Sequence, residues 1–188
     1  MIQETIVTTQ NSRGATHIAP MGIHVVSDDE FIIMPFRPSA TLENVLVTQT
    51  AVINYCDDVR IFAGCLTGRR NWPLKSAEKI VGSVISGALA HTEIELFRID
   101  EHPERPKLFC KAVHSVNHAP FKGFNRAQYS VLEAAILISR LDRLPLEKVE
   151  SEFAYLRIGL EKTAGDREHE AWGWIMTVLE NHKKGLSA

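Results

Sequence analysis

The apolar pattern changes period once along this chain, and that change limits the fold more than any other feature. Up to about residue 122 the apolar residues fall in short, β-branched runs separated by polar turns; from Asn125 onward they recur three and four apart. Side chains alternate with a period of two on a strand and recur every 3.6 residues on a helix. The chain is therefore expected to join a strand-built body to a helical element.

The strands follow from their composition. Residues 5–9 are β-branched almost throughout, and 10–14 form a polar turn. Residues 17–26 make a second strand in which Pro20 and Gly22 argue for a bulge or an edge. A tight turn at 27–30 leads to a third, almost wholly apolar strand at 31–36. A short helix capped by Ser39 or Thr41 comes next, then a strand at 51–56 and a second short helix that Asp57 and Asp58 can cap. Residues 68–76 read as loop, and 88–99 pair with 108–116 as a hairpin. Helices are expected at 127–141, from Pro145, and from Gly165 and Asp166 to about His182. The expected architecture is mainly β with α: an antiparallel barrel of about six strands over residues 1–122 and a C-terminal helical element over 123–188.

Composition removes several classes of function. With 21 basic and 23 acidic residues, the chain has no polybasic field for a phosphate backbone, so nucleic-acid partners are not expected. The longest apolar stretches, such as 131–138 with Glu133 inside it, are too short to span a bilayer. The first residues have neither a basic nor an apolar leader segment, which leads to a cytoplasmic expectation. Three cysteines, Cys56, Cys65 and Cys110, are odd in number and not in CxxC spacing, so neither a disulfide framework nor a zinc site is expected.

Two stretches carry possible chemistry. Residues 6–22 form a hairpin whose second strand holds small residues and Pro20, which leaves backbone donors and acceptors along an edge where a flat heteroaromatic ligand could rest. The alternative is a bulged edge with nothing bound. Residues 36–44 place Arg37 after a strand and two hydroxyls, Ser39 and Thr41, at a helix start. Free helix N–H groups, hydroxyl donors and a guanidinium make a cradle for phosphate or carboxylate. The alternative is an ordinary cap beside a solvated arginine, and on physical grounds alone the plainer reading prevails at both places.

Other candidates carry less. His114 and His118 are four apart, but their segment reads as strand, so they do not share a face as a metal pair on a helix would; no metal site is expected, and the pair could instead border a ligand pocket. Asp57 and Asp58 fit a helix cap better than a cation site. Asn125 and Arg126, opening the first C-terminal helix, suit either an anion or a plain cap. Trp172 and Trp174 fit core or dimer contacts. No GxSxG, P-loop or GxGxxG pattern is present, so no side chain is identified as catalytic.

Taken in order, a Val-Thr-Thr run, a short turn with glycine, Ala19-Pro20-Met21-Gly22, and then Arg37, Ser39, Thr41 and Asn44 before a strand ending in Asn54 resemble the FMN-binding split-barrel superfamily, which includes flavin reductases. Phe121 to Ala127, with Glu133, Arg140 and residues 162–165, resembles a subfamily of methanogenic archaea and methylotrophic bacteria that carries a C-terminal helical element. The resemblance covers roughly residues 6–181. It implies a split barrel that binds FMN, with flavin reductase-like transfer of hydride or electrons to a small molecule and kinship to tetrahydromethanopterin-linked one-carbon metabolism. By position, Thr8, Thr9, His17, Ala19, Pro20 and Met21 would line the isoalloxazine ring, and Arg37, Ser39, Thr41 and Asn44 would hold the phosphate and ribityl chain. The resemblance also implies a homodimer with flavin near the subunit interface, where Asn125 and Arg126 would reach the site from either chain. His17 departs from the Asn or Ser that many flavin reductases place before the Ala-Pro pair. A non-catalytic flavin carrier or sensor, or a barrel for haem or a deazaflavin, stays open. Haem would need His17, His114 or His118 as its axial ligand.

Overall fold

Strand formation in this chain follows the β-branched runs, and the computed structural model describes residues 1–185. The elements are β1 (Ile2–Gln10), β2 (Thr16–Val25), β3 (Glu30–Ile33), α1 (Ala40–Thr48), β4 (Thr50–Tyr55), α2 (Val59–Leu66), β5 (Leu74–Ser76), β6 (Ser83–Ile85), β7 (Ala90–Asp100), β8 (Lys107–Asn117), α3 (Arg126–Ile138), α4 (Leu146–Thr163) and α5 (Asp166–Lys183). Six antiparallel strands close a barrel in the order β1-β2-β3-β8-β7-β4, and β5 and β6 pair as a separate ribbon. The expected six-stranded barrel followed by helices is present.

The chain divides into two compact units. The first holds residues 1–56 and 72–121. Val7, Ile23, Ile33, Ile53, Ile94 and Leu108 fill its core, together with Leu42 and Val45 of α1. These side chains leave water almost completely, and such burial is the main stabilising term of a barrel this size. The second unit holds residues 57–71 and 122 onward, so α2, which the sequence reading placed with the barrel, groups with the C-terminal helices. Val59 and Ala63 of α2 join Val131, Ala135, Phe153, Leu156, Trp172 and Ile175 in its core. Its helix starts are capped locally. Asp58 accepts from the Arg60 amide (3.1 Å), and Glu168 Oε2 accepts from the Gly165 amide (2.9 Å).

Several local expectations are corrected. The third strand ends at Ile33, and Met34 to Phe36 leave the ladder because Arg37 N–H donates to Glu104 O (2.8 Å), tying this segment to the β7–β8 loop. Residues 74–76, expected as loop, form β5 against β6. The register of β2 on β1 runs without a shift from Gln10↔Thr16 to Ile2↔His24, so Pro20 and Gly22 make no bulge there. The edge reading of the same strand holds. Among the described residues β3 pairs with β2 only at His24 and Val25, which leaves the 16–23 stretch laddered on one side.

Candidate functional site

Pairing sorts the hairpin residues onto two faces. Directly opposed residues of an antiparallel pair point the same way. Thr9 pairs with His17, Val7 with Ala19 and Thr5 with Met21, so His17, Ala19 and Met21 share the face that carries the core residue Val7. Thr8, opposite Ile18, and Pro20, opposite Ile6, lie on the other face. Thr8 is committed there, because its hydroxyl donates to the Ser83 carbonyl of β6. The expected ring-lining set is thus split between the two faces of the hairpin.

α1 joins the first of these faces. Ser39 caps it, its Oγ accepting from the Leu42 amide (3.2 Å), and Thr41 lies inside the first turn, buried. The cap is Ser39 rather than Thr41. Asn44, one turn further on and also buried, donates from Nδ2 to Thr9 Oγ1 (3.0 Å). The two stretches singled out by sequence therefore meet at Thr9 and Asn44.

Arg37 stands two residues before the cap. Its Nη2 is 2.9 Å from Glu101 Oε2 in an exposed ion pair. A depression of about 270 Å³ opens beside it, lined by Arg37, Glu101, His102 and Pro103. The donor set suits a phosphate. The first amides of a helix have no intrahelical acceptor, the Ser39 O–H is still free to donate while its oxygen accepts, and one surface carboxylate on Arg37 is a weak competitor. Glu43 in the same first turn is exposed and opposes an anion there.

Asn125 and Arg126 lie in the second unit. Asn125 caps α3, with Oδ1 accepting from the Ala127 amide (2.7 Å) and Nδ2 donating to Thr163 O (2.9 Å), while Arg126 is exposed. Among the described residues no group of three or more His, Cys, Asp or Glu is arranged to hold a metal ion, and no helix is long and apolar enough to cross a membrane. Burial pushes the Cys65 thiol up to about 11 and the Cys110 thiol to about 12, so neither is a nucleophile at neutral pH.

The buried hydrogen-bonding roles of three sets of polar residues escaped the sequence reading, although Asn54 entered it as the end of a strand. Asn54 is fully buried on β4. It donates to Ile6 O (3.0 Å) and Thr8 Oγ1 (3.2 Å) and accepts from the Ile85 amide (2.8 Å), which pins the β5–β6 ribbon to the barrel. A single polar residue inside the apolar run 51–55 was the available signal. Ser83 Oγ continues this network to Gln10 Nε2 (2.9 Å) and Thr16 Oγ1 (2.8 Å). On β7, Glu93 is fully buried and accepts from the amides of Glu78 (2.6 Å), Lys79 (2.7 Å) and Ile80 (3.0 Å). Burial alone would raise its pKa, but these three donors and His91 outweigh it and hold the carboxyl below the usual range.

Residues 3–119 match the family model described as "Protein of unknown function (DUF447) N-terminal domain", and residues 125–177 match the model described as "Protein of unknown function (DUF447)". The chain belongs to the DUF447 family. Among solved structures it is similar to an FMN-bound DUF447 protein from Methanosarcina mazei, at 21% identity over 94% of each chain with a TM-score of 0.79. A 2-nitrobenzoate 2-nitroreductase from Pseudomonas fluorescens matches at 21% identity over 61% of this chain and 64% of its own, with a TM-score of 0.54. An NADH:FAD oxidoreductase from Streptomyces globisporus matches at 13% identity over 62% and 71%, with a TM-score of 0.52. At these identities the likeness is one of fold. It agrees with the split-barrel resemblance read from the sequence, and the DUF447 structure shares the helical part as well.

Proposed function

We propose that this DUF447 protein binds FMN and works as an oxidoreductase that passes hydride or electrons to a small molecule, as a homodimer with the flavin near the subunit interface. One observation carries the reading: Arg37, the Ser39-capped start of α1 and the one-sided edge of β2 are joined within the first unit by the Asn44–Thr9 bond. An anion cradle next to a strand edge with open backbone groups matches a ligand with a phosphate tail and a planar head. The FMN bound to the Methanosarcina mazei relative supports the same assignment.

Bound FMN would supply the redox chemistry, which no side chain here provides. The chain's own residues bind and orient. Arg37, the Ser39 hydroxyl and the first amides of α1 would hold the phosphate, with Thr41 and Asn44 lining the passage toward the hairpin. Thr9, His17, Ala19 and Met21 would border the ring, and the backbone of 16–22 would meet its polar edge.

The absorbance spectrum of the purified protein, before and after incubation with FMN and desalting, tests binding. Two flavin bands that survive desalting are expected; their absence in both samples sinks the reading. Bleaching by NADH or NADPH without oxygen distinguishes an enzyme from a passive carrier. The double variant Arg37→Ala/Thr41→Ala is expected to release the flavin.

A further inference from the structure

A second polar cluster lies away from the α1 cradle, along β7 and β8. His91 Nε2 is 3.3 Å from Glu93 Oε1, and His91 Nδ1 is 2.8 Å from His118 Nε2. Exposure rises along this row: Glu93 is 0% and His91 2% accessible, while His118 is exposed. The rings of His91 and His118 are tilted by only 11° with centroids 5.0 Å apart. Together with the short nitrogen–nitrogen distance, that places the rings end to end, as an in-plane hydrogen bond requires, rather than face to face.

The proton positions follow from the partners. The Glu93 carboxylate can only accept, and its other contacts are the three amides of residues 78–80. The His91 nitrogen facing it must therefore carry hydrogen. In the neutral ring this leaves His91 Nδ1 as a lone pair, and His118 Nε2–H must donate to it. His118 Nδ1 is then a lone pair at the exposed end of the row. Lys75 Nζ is 3.3 Å from His118 Nε2 and 3.5 Å from Nδ1, an ammonium that stands alongside both ring nitrogens rather than on the Nδ1 lone pair.

We propose that His118 is a proton-accepting site on the barrel, backed by His91 and Glu93, for a ligand carrying an acidic hydroxyl such as an enol or a phenol. In the step, the ligand O–H bond breaks, its hydrogen is bonded to His118 Nδ1, and the electron pair stays on the ligand oxygen. The resulting oxyanion lies by the Lys75 ammonium. The positive charge on His118 is shared across the hydrogen bond to His91 and offset by Glu93. No other reactant is needed. The charged and titratable groups facing the row are Lys75, Glu78, His114 and Glu93. His114 Nε2 is 3.2 Å from Glu78 Oε2 but lacks hydrogen-bond geometry. Desolvation of the ring, Lys75 and His91 lower the His118 pKa against the opposing pull of Glu78, so the ring stays neutral to lower pH, as a weaker base than an ordinary imidazole.

The test uses the full chain. Long-range proton–nitrogen spectra of the histidine rings at neutral pH are expected to show Nε2–H for both His91 and His118. An Nδ1–H tautomer at either ring overturns the proposal, and this measurement needs no variant. Diethyl pyrocarbonate, which acylates neutral imidazole, supplies the reactivity arm. At about pH 6, His118 is expected to react about threefold or more faster than the exposed His169, because acylation needs the neutral ring and the His118 pKa is lowered. In His91→Phe the ratio is expected to fall toward one. Equal rates for His118 and His169 in the unaltered protein, or an unchanged ratio in the variant with its fold intact, count against the relay.

Discussion

Asn44 on α1 and Thr9 on β1 share a buried hydrogen bond of 3.0 Å across 35 positions of sequence, and through it the cradle and the hairpin keep one geometry. Asn44→Ala removes the donor and leaves the Thr9 hydroxyl buried without its partner. A loss of about 1–3 kcal/mol in denaturant unfolding is expected. Thr9→Val/Asn44→Leu, which removes both polar groups, should cost less than the two single losses combined. Asn44→Ala is also expected to lower retention of FMN on desalting.

Arg37 and Glu101 give a charge test of the cradle. Glu101 holds one guanidinium nitrogen in an exposed pair and would repel a phosphate beside it. Glu101→Gln is expected to tighten FMN binding and leave riboflavin, which lacks the phosphate, unchanged. Arg37→Ala is expected to weaken FMN by about tenfold, again with little change for riboflavin. Raising the salt concentration should shrink both effects. Equal changes for the two flavins would place the phosphate elsewhere.

These two pairs also show how far the sequence could be read. The Ser39 cap and the β1–β2 hairpin rest on neighbouring residues, so local composition revealed them. Glu101 lies 64 positions from Arg37, and nothing local marks it as that partner. Glu93 reads as a solvent-facing residue of an alternating strand, since its cover comes from the amides of 78–80. β5 and β6 are three residues each, too short to show a period. The six-stranded barrel was therefore legible, while the β5–β6 ribbon and the burial of particular polar groups depended on long-range packing.

In the helical unit, Gly159 of α4 faces Ser130 of α3. A Cβ at 159 would lie 2.7 Å from Ser130 Oγ and 3.3 Å from Arg126 O. Gly→Ala inside a helix ordinarily stabilises by about 1 kcal/mol. Here the sign is expected to reverse, with Gly159→Ala costing about 1–3 kcal/mol through overpacking. Gly173→Ala on α5, where a Cβ meets nothing within 4 Å, should show the ordinary gain. Adding Ser130→Ala to Gly159→Ala should recover part of the loss, as measured by thermal unfolding.

The buried Glu93 carboxylate sets an acid limit on the segment above it. Its pKa is held down in the folded state by the amides of Glu78, Lys79 and Ile80 and by His91, against the upward pull of burial. A depressed carboxyl contributes stability that is fully present above its unfolded pKa and is lost as pH falls through the folded value. Hydrogen exchange at the three amides should therefore be slow at neutral pH. Once the intrinsic pH dependence of exchange is removed, protection should fall only below the ordinary carboxylate range. Glu93→Gln keeps the shape but loses the charge, and its amide group cannot accept from three amides and His91 as a carboxylate does. It should lower protection at residues 78–80 already at neutral pH, cost about 1–3 kcal/mol in global unfolding, and remove the acid step. An acid step that persists unchanged in Glu93→Gln would assign it to another group.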